Sequence, residues 1–206
     1  GTRPDRAAAY GEMVAAMDAN VGRLVTCLAA HGLSEHTLLL FASDHGGHHL
    51  VASNQPLSGA KGSLREGGHR IPAIACWPGV LPAGQIRDEP IMLMDWFPTM
   101  LALGGLPAPP QALDGCNLWP WLSQGQALPE RTLFWRQGEQ KAARRGRWKL
   151  LVEDCRVALF DLQSDIGERH DCATAQPRIL AQLQEELAHW ESTVPPAPVR
   201  RRAAGA

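Results

Sequence analysis

The sequence predicts an α/β core followed by a small antiparallel α+β subdomain, and three observations carry that prediction. An apolar run, Thr37-Leu38-Leu39-Leu40-Phe41, ends directly in Ala42-Ser43-Asp44-His45-Gly46-Gly47. A second apolar run, Ile71-Pro72-Ala73-Ile74-Ala75-Cys76-Trp77, follows a polar, glycine-rich stretch and closes at Pro78-Gly79. Beyond residue 130 the pattern changes to short strand candidates and one amphipathic helix. Helix and strand alternating early, with strands clustered late, is the order expected of a mixed core with an antiparallel appendage.

The elements follow in order. Tyr10, Met13, Met17, Val21, Leu24 and Leu28 recur at three- and four-residue steps, which predicts an amphipathic helix ending at His31-Gly32. Glycine suits that end because it accepts the left-handed conformation that closes a helix. Ser34-Glu35-His36 leads into the strand at 37–42, and 48–68 reads as a long loop of the kind kept for function. The second strand covers 71–77. Asp95 is expected to cap a helix through Leu103, with Pro98 tolerated in its first turn and Gly104-Gly105 stopping it. Residues 107–130, rich in Pro, Gly and Gln around Leu118-Trp119-Pro120-Trp121-Leu122, read as a linker. Strand candidates at 132–136, 140–145, 147–152 and 157–161 follow, with Arg145-Gly146 as a hairpin turn. A helix over about 176–191 places Ile179, Leu180, Leu183, Leu187 and Trp190 on one face. The organisation is thus a core (1–106), a linker (107–130), a small sheet with its helix (131–192) and a disordered tail (193–206) that holds Arg200-Arg201-Arg202.

Composition narrows the functional classes. The 206 residues, 45% hydrophobic and 20% charged, belong to a globular chain. A net charge of −1 argues against a nucleic-acid partner, which would need a basic excess. Five scattered cysteines without a CxxC pair make neither a zinc framework nor a disulfide set, and Cys27 and Cys76 are expected as buried thiols. No continuous run reaches the roughly 18 apolar residues of a membrane span. The opening residues lack the shape of a signal peptide and an initiator methionine.

The chemistry concentrates between residues 43 and 72. A strand that ends in a carboxylate, an imidazole and two glycines places ligands outside the carboxyl end of a strand, where α/β folds keep their sites. Asp44 before a glycine-rich turn could also be ordinary turn chemistry. The carboxylate favours Ca²⁺ or Mg²⁺, whereas the imidazole of His45 also suits Mn²⁺ or Zn²⁺. Then come Lys61, inside Ser58-Gly59-Ala60-Lys61-Gly62, and Glu66-Gly67-Gly68-His69-Arg70-Ile71-Pro72. Ligands, flexible loop, cation and glycine-pinned turn, in that order, suggest chemistry on an oxyanion ester. Glu66 and Arg70 read as a structural ion pair, and His48 and His49 as solvent- or substrate-facing.

These motifs, with Trp77-Pro78-Gly79, Asp95-Trp96-Phe97-Pro98-Thr99, Leu113-Asp114-Gly115 and Leu159-Phe160-Asp161-Leu162 followed by Asp165 and Glu168, resemble the C-terminal half of a sulfatase. The likeness is collinear over about residues 8–192. It implies the C-terminal part of an alkaline-phosphatase-like mixed-sheet sandwich. It also implies hydrolysis of a sulfate ester, on a small molecule or a glycan, with a bound divalent metal. By this resemblance Asp44 and His45 are metal ligands, with Ca²⁺ ahead of Mg²⁺ or Mn²⁺. Lys61 is the sulfate-binding, catalytic lysine, and His69 is a weaker candidate for the substrate pocket. The family's nucleophile is a formylglycine made from a Cys/Ser-x-Pro/Ala-x-Arg motif, and no cysteine here has that context. The nucleophile is therefore expected in an upstream half of the same protein, and residues 1–206 alone are expected to be inactive. His45 stands where the family more often has Asn, and Ser58 and Ala60 replace a more usual arginine and glycine. A phosphonate or phosphate monoester hydrolase of the same superfamily, or a non-catalytic fragment, are the alternatives.

Overall fold

The computed structural model describes residues 3–196; the remainder of the expected tail, with its three arginines, lies outside the described residues. Helix α1 spans Arg3–Ala30 and closes as its glycine predicts. Gly32 has φ +65°, and the Leu33 amide donates to the Leu28 carbonyl, which satisfies a carbonyl the helix leaves over. The predicted stripe is largely exposed: Met13 is 70% accessible, and Met17 and Leu24 are 47% and 49% accessible. By length and composition Asp5–Ala30 could cross a membrane. The run-counting expectation missed this because alanines and single polar residues interrupt the apolar positions without lowering the average much.

Strands β1 (Leu39–Ala42) and β2 (Ala73–Cys76) pair as a two-stranded sheet; β1 begins two residues later than predicted, and β2 is shorter at both ends than its apolar run. Between them lies the long loop, with one short helix, α2 (Glu66–His69). Cys27 and Cys76 are exposed, contrary to expectation, because neither α1 nor β2 is covered on that side by the described residues.

Helix α3 (Trp96–Leu103) follows a 3-10 turn over Leu93–Asp95. Asp95 does not cap α3 as expected. Its carboxylate accepts from the Met92 amide at 2.7 Å, within the 3-10 turn, and from the Cys116 amide at 3.0 Å. Thr99 donates to the Asp95 carbonyl and accepts from the Leu118 amide at 2.8 Å. Two fully buried polar side chains thus pin the segment after Gly115, where a Cβ would come within 2.4 Å of the Met94 carbonyl oxygen. The stretch read as a linker contains helix α4 (Trp119–Gln124), with Leu118 and Trp121 buried.

Strands β3 (Thr132–Gln137), β4 (Gln140–Arg145), β5 (Trp148–Glu153) and β6 (Arg156–Asp161) form an antiparallel meander in that order. Every hairpin has a two-residue loop, as the register pairs Gln137 with Gln140, Arg145 with Trp148 and Glu153 with Arg156. In the last, Asp154 and Cys155 both take positive φ, the backbone that a tight hairpin loop demands. Helix α5 spans Pro177–Thr193. Side chains alternate across the sheet, and the two faces bury different partners. Ala143, Leu150 and Leu159 pack against Leu183 and Leu187 of α5. Ala142, Leu151 and Phe160 pack against Leu162 and against Leu64, which comes from the long loop. Burying a leucine as completely as Leu150 or Leu159 stabilises by roughly 2 kcal/mol.

Packing divides the chain into two units, each discontinuous in sequence, which cut across the boundaries drawn from composition. The first joins 1–14 and 42–72 to 131–206; the second is 15–41 with 73–130.

Candidate active site

All four residues singled out as ligands or substrate contacts lie in the first unit. Asp44 follows β1 and exposes 80% of its side chain; its Oδ2 lies 3.1 Å from Nε2 of His45. The His45 ring is held from the other side by the Gly46 carbonyl, 3.0 Å from Nδ1. A carboxylate and an imidazole side by side and open to solvent fit part of a divalent-metal site, and a hard cation needs more donors than two. Among the described residues no group of three or more His, Cys, Asp and Glu gathers around a common point.

Lys61 is exposed, on the outer side of the loop that begins at Ser58. Its backbone fixes that loop to the Asp44-His45 turn. The Lys61 amide donates to the Gly47 carbonyl at 3.1 Å, and the Gly46 amide donates to the Gly68 carbonyl at 2.9 Å. Asn54 ties the same two strands of chain: its Oδ1 accepts from the Gly47 amide at 2.8 Å and its Nδ2 donates to the Gly47 and Gly59 carbonyls. The Gly67 amide donates to the Ser58 carbonyl at 2.6 Å. Approach this close requires glycine. A Cβ on Gly46 would sit 1.8 Å from the Gly67 carbonyl oxygen, and one on Gly68 would sit 2.1 Å from that of Ser63. Gly46 and Gly67 thus form the contact surface between the Asp44-His45 turn and the Lys61 loop, and Gly68 lets that loop pack on itself.

His69 sits behind the loop. Its ring lies tilted against Trp135 with centroids 4.5 Å apart, and its side chain is only 15% exposed. Nε2 lies 3.0 Å from both the Leu64 carbonyl oxygen and Lys149 Nζ. A neutral ring can donate to the first or accept from the second, not both at once. Burial first, and then the Lys149 charge, push its pKa down to about 4. Glu66 is fully buried; burial would raise its carboxyl, but Lys149, Arg144 and His69 together hold it below the ordinary value. The Glu66–Arg70 pair read from the sequence is present at 3.8 Å, yet Glu66 is closer to Lys149, at 2.8 Å, and to Arg144, at 3.3 Å. His48 and His49 stack on each other, exposed, at 4.6 Å.

Lys149 was missed by sequence reasoning. The signal that could have found it is a lysine inside Trp148-Lys149-Leu150-Leu151-Val152, on the same strand face as Leu151. A cation at such a position must meet a buried carboxylate.

The sequence profile of the sulfatase family matches residues 2–106. The chain belongs to the sulfatase family. The match includes α1, so this helix is an element of the sulfatase domain. N-acetylgalactosamine-6-sulfatase of Sus scrofa is 40% identical over 147 residues, which cover 68% of this chain and 28% of that protein. Steryl-sulfatase of Mus musculus is also 40% identical, over 55% of this chain and 20% of its own length. The chain therefore spans about a quarter of the curated relatives it matches. Among solved structures, Ps i-CgsB in complex with k-i-k-neocarrahexaose superposes with a TM-score of 0.84 at 34% identity, covering 88% of this chain and 42% of that one. The phosphonate monoester hydrolase of Agrobacterium radiobacter shares the fold, with a TM-score of 0.69 at 24% identity over 88% of this chain and 40% of that one. The fold is that of the alkaline-phosphatase-like sulfatases, in its C-terminal part.

Proposed function

We propose that this chain supplies the metal-ligand pair and the cation of a sulfate-ester hydrolase, and that an upstream portion of the same protein supplies the nucleophile and the remaining metal ligands. The observation that carries the reading is the stitching of the Lys61 loop to the Asp44-His45 turn by Lys61–Gly47, Gly46–Gly68 and Asn54. It ties the segment with the exposed Asp44 carboxylate and the His45 imidazole to the segment with the exposed Lys61 through backbone and Asn54 hydrogen bonds.

In that reaction water and the ester give an alcohol and sulfate, and negative charge grows on the leaving oxygen as its bond to sulfur breaks. Lys61 stabilises that charge as a preorganised donor. Asp44 and His45 would hold a divalent cation, Ca²⁺ before Mg²⁺ or Mn²⁺, that neutralises sulfate oxygens when bound. His69, engaged with Leu64 and Lys149, supports the loop from behind and reaches substrate only through its small exposed edge. Relatives named for a sulfated sugar and a structure holding a neocarrahexaose favour a sulfate carried on a saccharide.

The test uses the protein with its upstream portion, assayed on aryl sulfate, aryl phosphate and aryl phosphonate esters. Lys61→Ala should lower kcat on aryl sulfates by roughly 10²–10³-fold, the scale for one lost transition-state donor. Faster turnover of the phosphorus esters would replace the sulfatase reading with the phosphonate or phosphate one. Wild-type turnover by Lys61→Ala would remove the role given to the lysine.

A further inference from the structure

Behind the exposed site lies a set of buried charges that the proposed chemistry does not use. Lys149 on β5 is fully buried, and its Nζ lies 2.8 Å from Glu66 Oε1, 2.8 Å from Glu168 Oε1 and 3.0 Å from His69 Nε2. Arg144 on β4 reaches the second oxygen of Glu66 at 3.3 Å. Two carboxylates and two cations thus balance inside the face of the sheet that also holds Leu64. Apolar side chains of the same volume would fill this place at lower desolvation cost. Stability alone does not explain the choice.

The second oxygen of Glu168 does. Oε2 accepts from the Ser58 hydroxyl at 2.5 Å and from the Glu66 amide at 2.8 Å. Ser58 and Glu66 are the two ends of the loop that carries Lys61, so one carboxylate oxygen closes it. Glu168 itself is set at positive φ, +52°, in the turn after β6, and Lys149 holds its other oxygen. Leu64, buried in the sheet's core, plugs the same loop from below.

We infer that Lys149 and Glu168 are positioning residues for Lys61: the buried network, through Ser58 and Glu66, sets the height and orientation of the cation loop against the Asp44-His45 turn. The inference rests on the reading of Lys61 as the sulfate-facing cation. It adds that the C-terminal sheet tunes catalysis without touching substrate.

The experiment is steady-state kinetics on aryl sulfates with good and poor leaving groups, using the protein with its upstream portion. Ser58→Ala and Glu168→Gln are made singly and in a Lys61→Ala background. Each single variant should lower kcat on poor leaving groups by about tenfold with KM changed less than about twofold, because a displaced donor loses transition-state rather than ground-state contact. In the Lys61→Ala background the same substitutions should cost under about twofold, since residues acting through one another are not additive. A full tenfold loss persisting there overturns the inference, as does an unchanged kcat in both single variants. Wild-type turnover by Lys61→Ala alone removes the reading of the lysine and this inference with it, and that single variant separates the two failures. Ser58→Ala, which deletes one hydroxyl and leaves the Ser58 carbonyl in place, keeps the test decisive if Glu168→Gln fails to fold.

Discussion

Acid should loosen the buried network through His69. The unfolded chain takes up this proton near the ordinary value of 6.5, whereas the native ring, desolvated and 3.0 Å from the Lys149 ammonium, resists until about 4. Between those values the unfolded state binds more protons, so stability is full above pH 6.5 and is lost as pH falls through about 4. At roughly 1.4 kcal/mol per pH unit the whole loss is about 3.5 kcal/mol. Glu66, also held below its ordinary value of 4.5, loses its contribution in the same direction but only in more acid solution. The charged groups that face His69 are Glu66, Lys149 and Arg144. The slope between pH 6.5 and 4.5 is therefore the histidine's. His69→Gln keeps an amide nitrogen near the place of Nε2 without a titrating ring. Urea midpoints followed by the fluorescence of Trp135, which packs against His69, should fall by about 1 M from pH 6.5 to 4.5 in the parent and stay nearly flat in the variant. Parallel losses in the two proteins would refute this reasoning.

Two further outcomes are expected. Asp44→Ala should abolish divalent metal retained by the protein with its upstream portion, because the site loses its charged oxygen donor, and elemental analysis of the purified variant checks it; unchanged stoichiometry would remove Asp44 from the ligand set. Residues 1–206 expressed alone should be inactive on sulfate esters and oligomeric, since Met13, Met17 and Leu24 of α1 present apolar surface; sizing chromatography and sulfate release check both, and a monomer with turnover would show that this chain carries its own nucleophile.

The sequence made the local features legible and hid those that depend on distant pairing. The ends of α1 and α3 and the hairpins of β3–β6 follow from glycines and alternation that act within a few residues. Asp95 shows the limit of that reasoning. An aspartate ahead of a helix reads as its cap, but this one is fully buried and spends one oxygen on Cys116, a partner no local pattern announces. Leu118 and Trp121 sit in a proline-rich stretch whose composition says linker, while burial makes it a packed helix. At the site, Asp44, His45 and Lys61 were marked by their motifs. The glycines between them were legible as turns, whereas their role in close packing needed the 1.8 and 2.1 Å approaches of the folded backbone. Glu168 stood out only as a family landmark, and nothing near it in the chain points to Ser58.

That separation has a consequence in time. Ser58 and Glu168 are 110 residues apart, and the Glu66 amide is 102 from the same carboxylate. At about 5–20 residues per second, a ribosome finishes the loop roughly 5 to 20 s before it makes the group that closes it. The hairpins of β3–β6, joined by two-residue loops, can form as soon as they emerge. The tie of the cation loop to Glu168 must wait for the chain beyond them. Ribosome-bound chains stalled just short of residue 168 should therefore be cut by protease within 58–66, and chains released a few tens of residues later should resist. Protection already present in the shorter chains would mean that the loop finds its shape without the sheet.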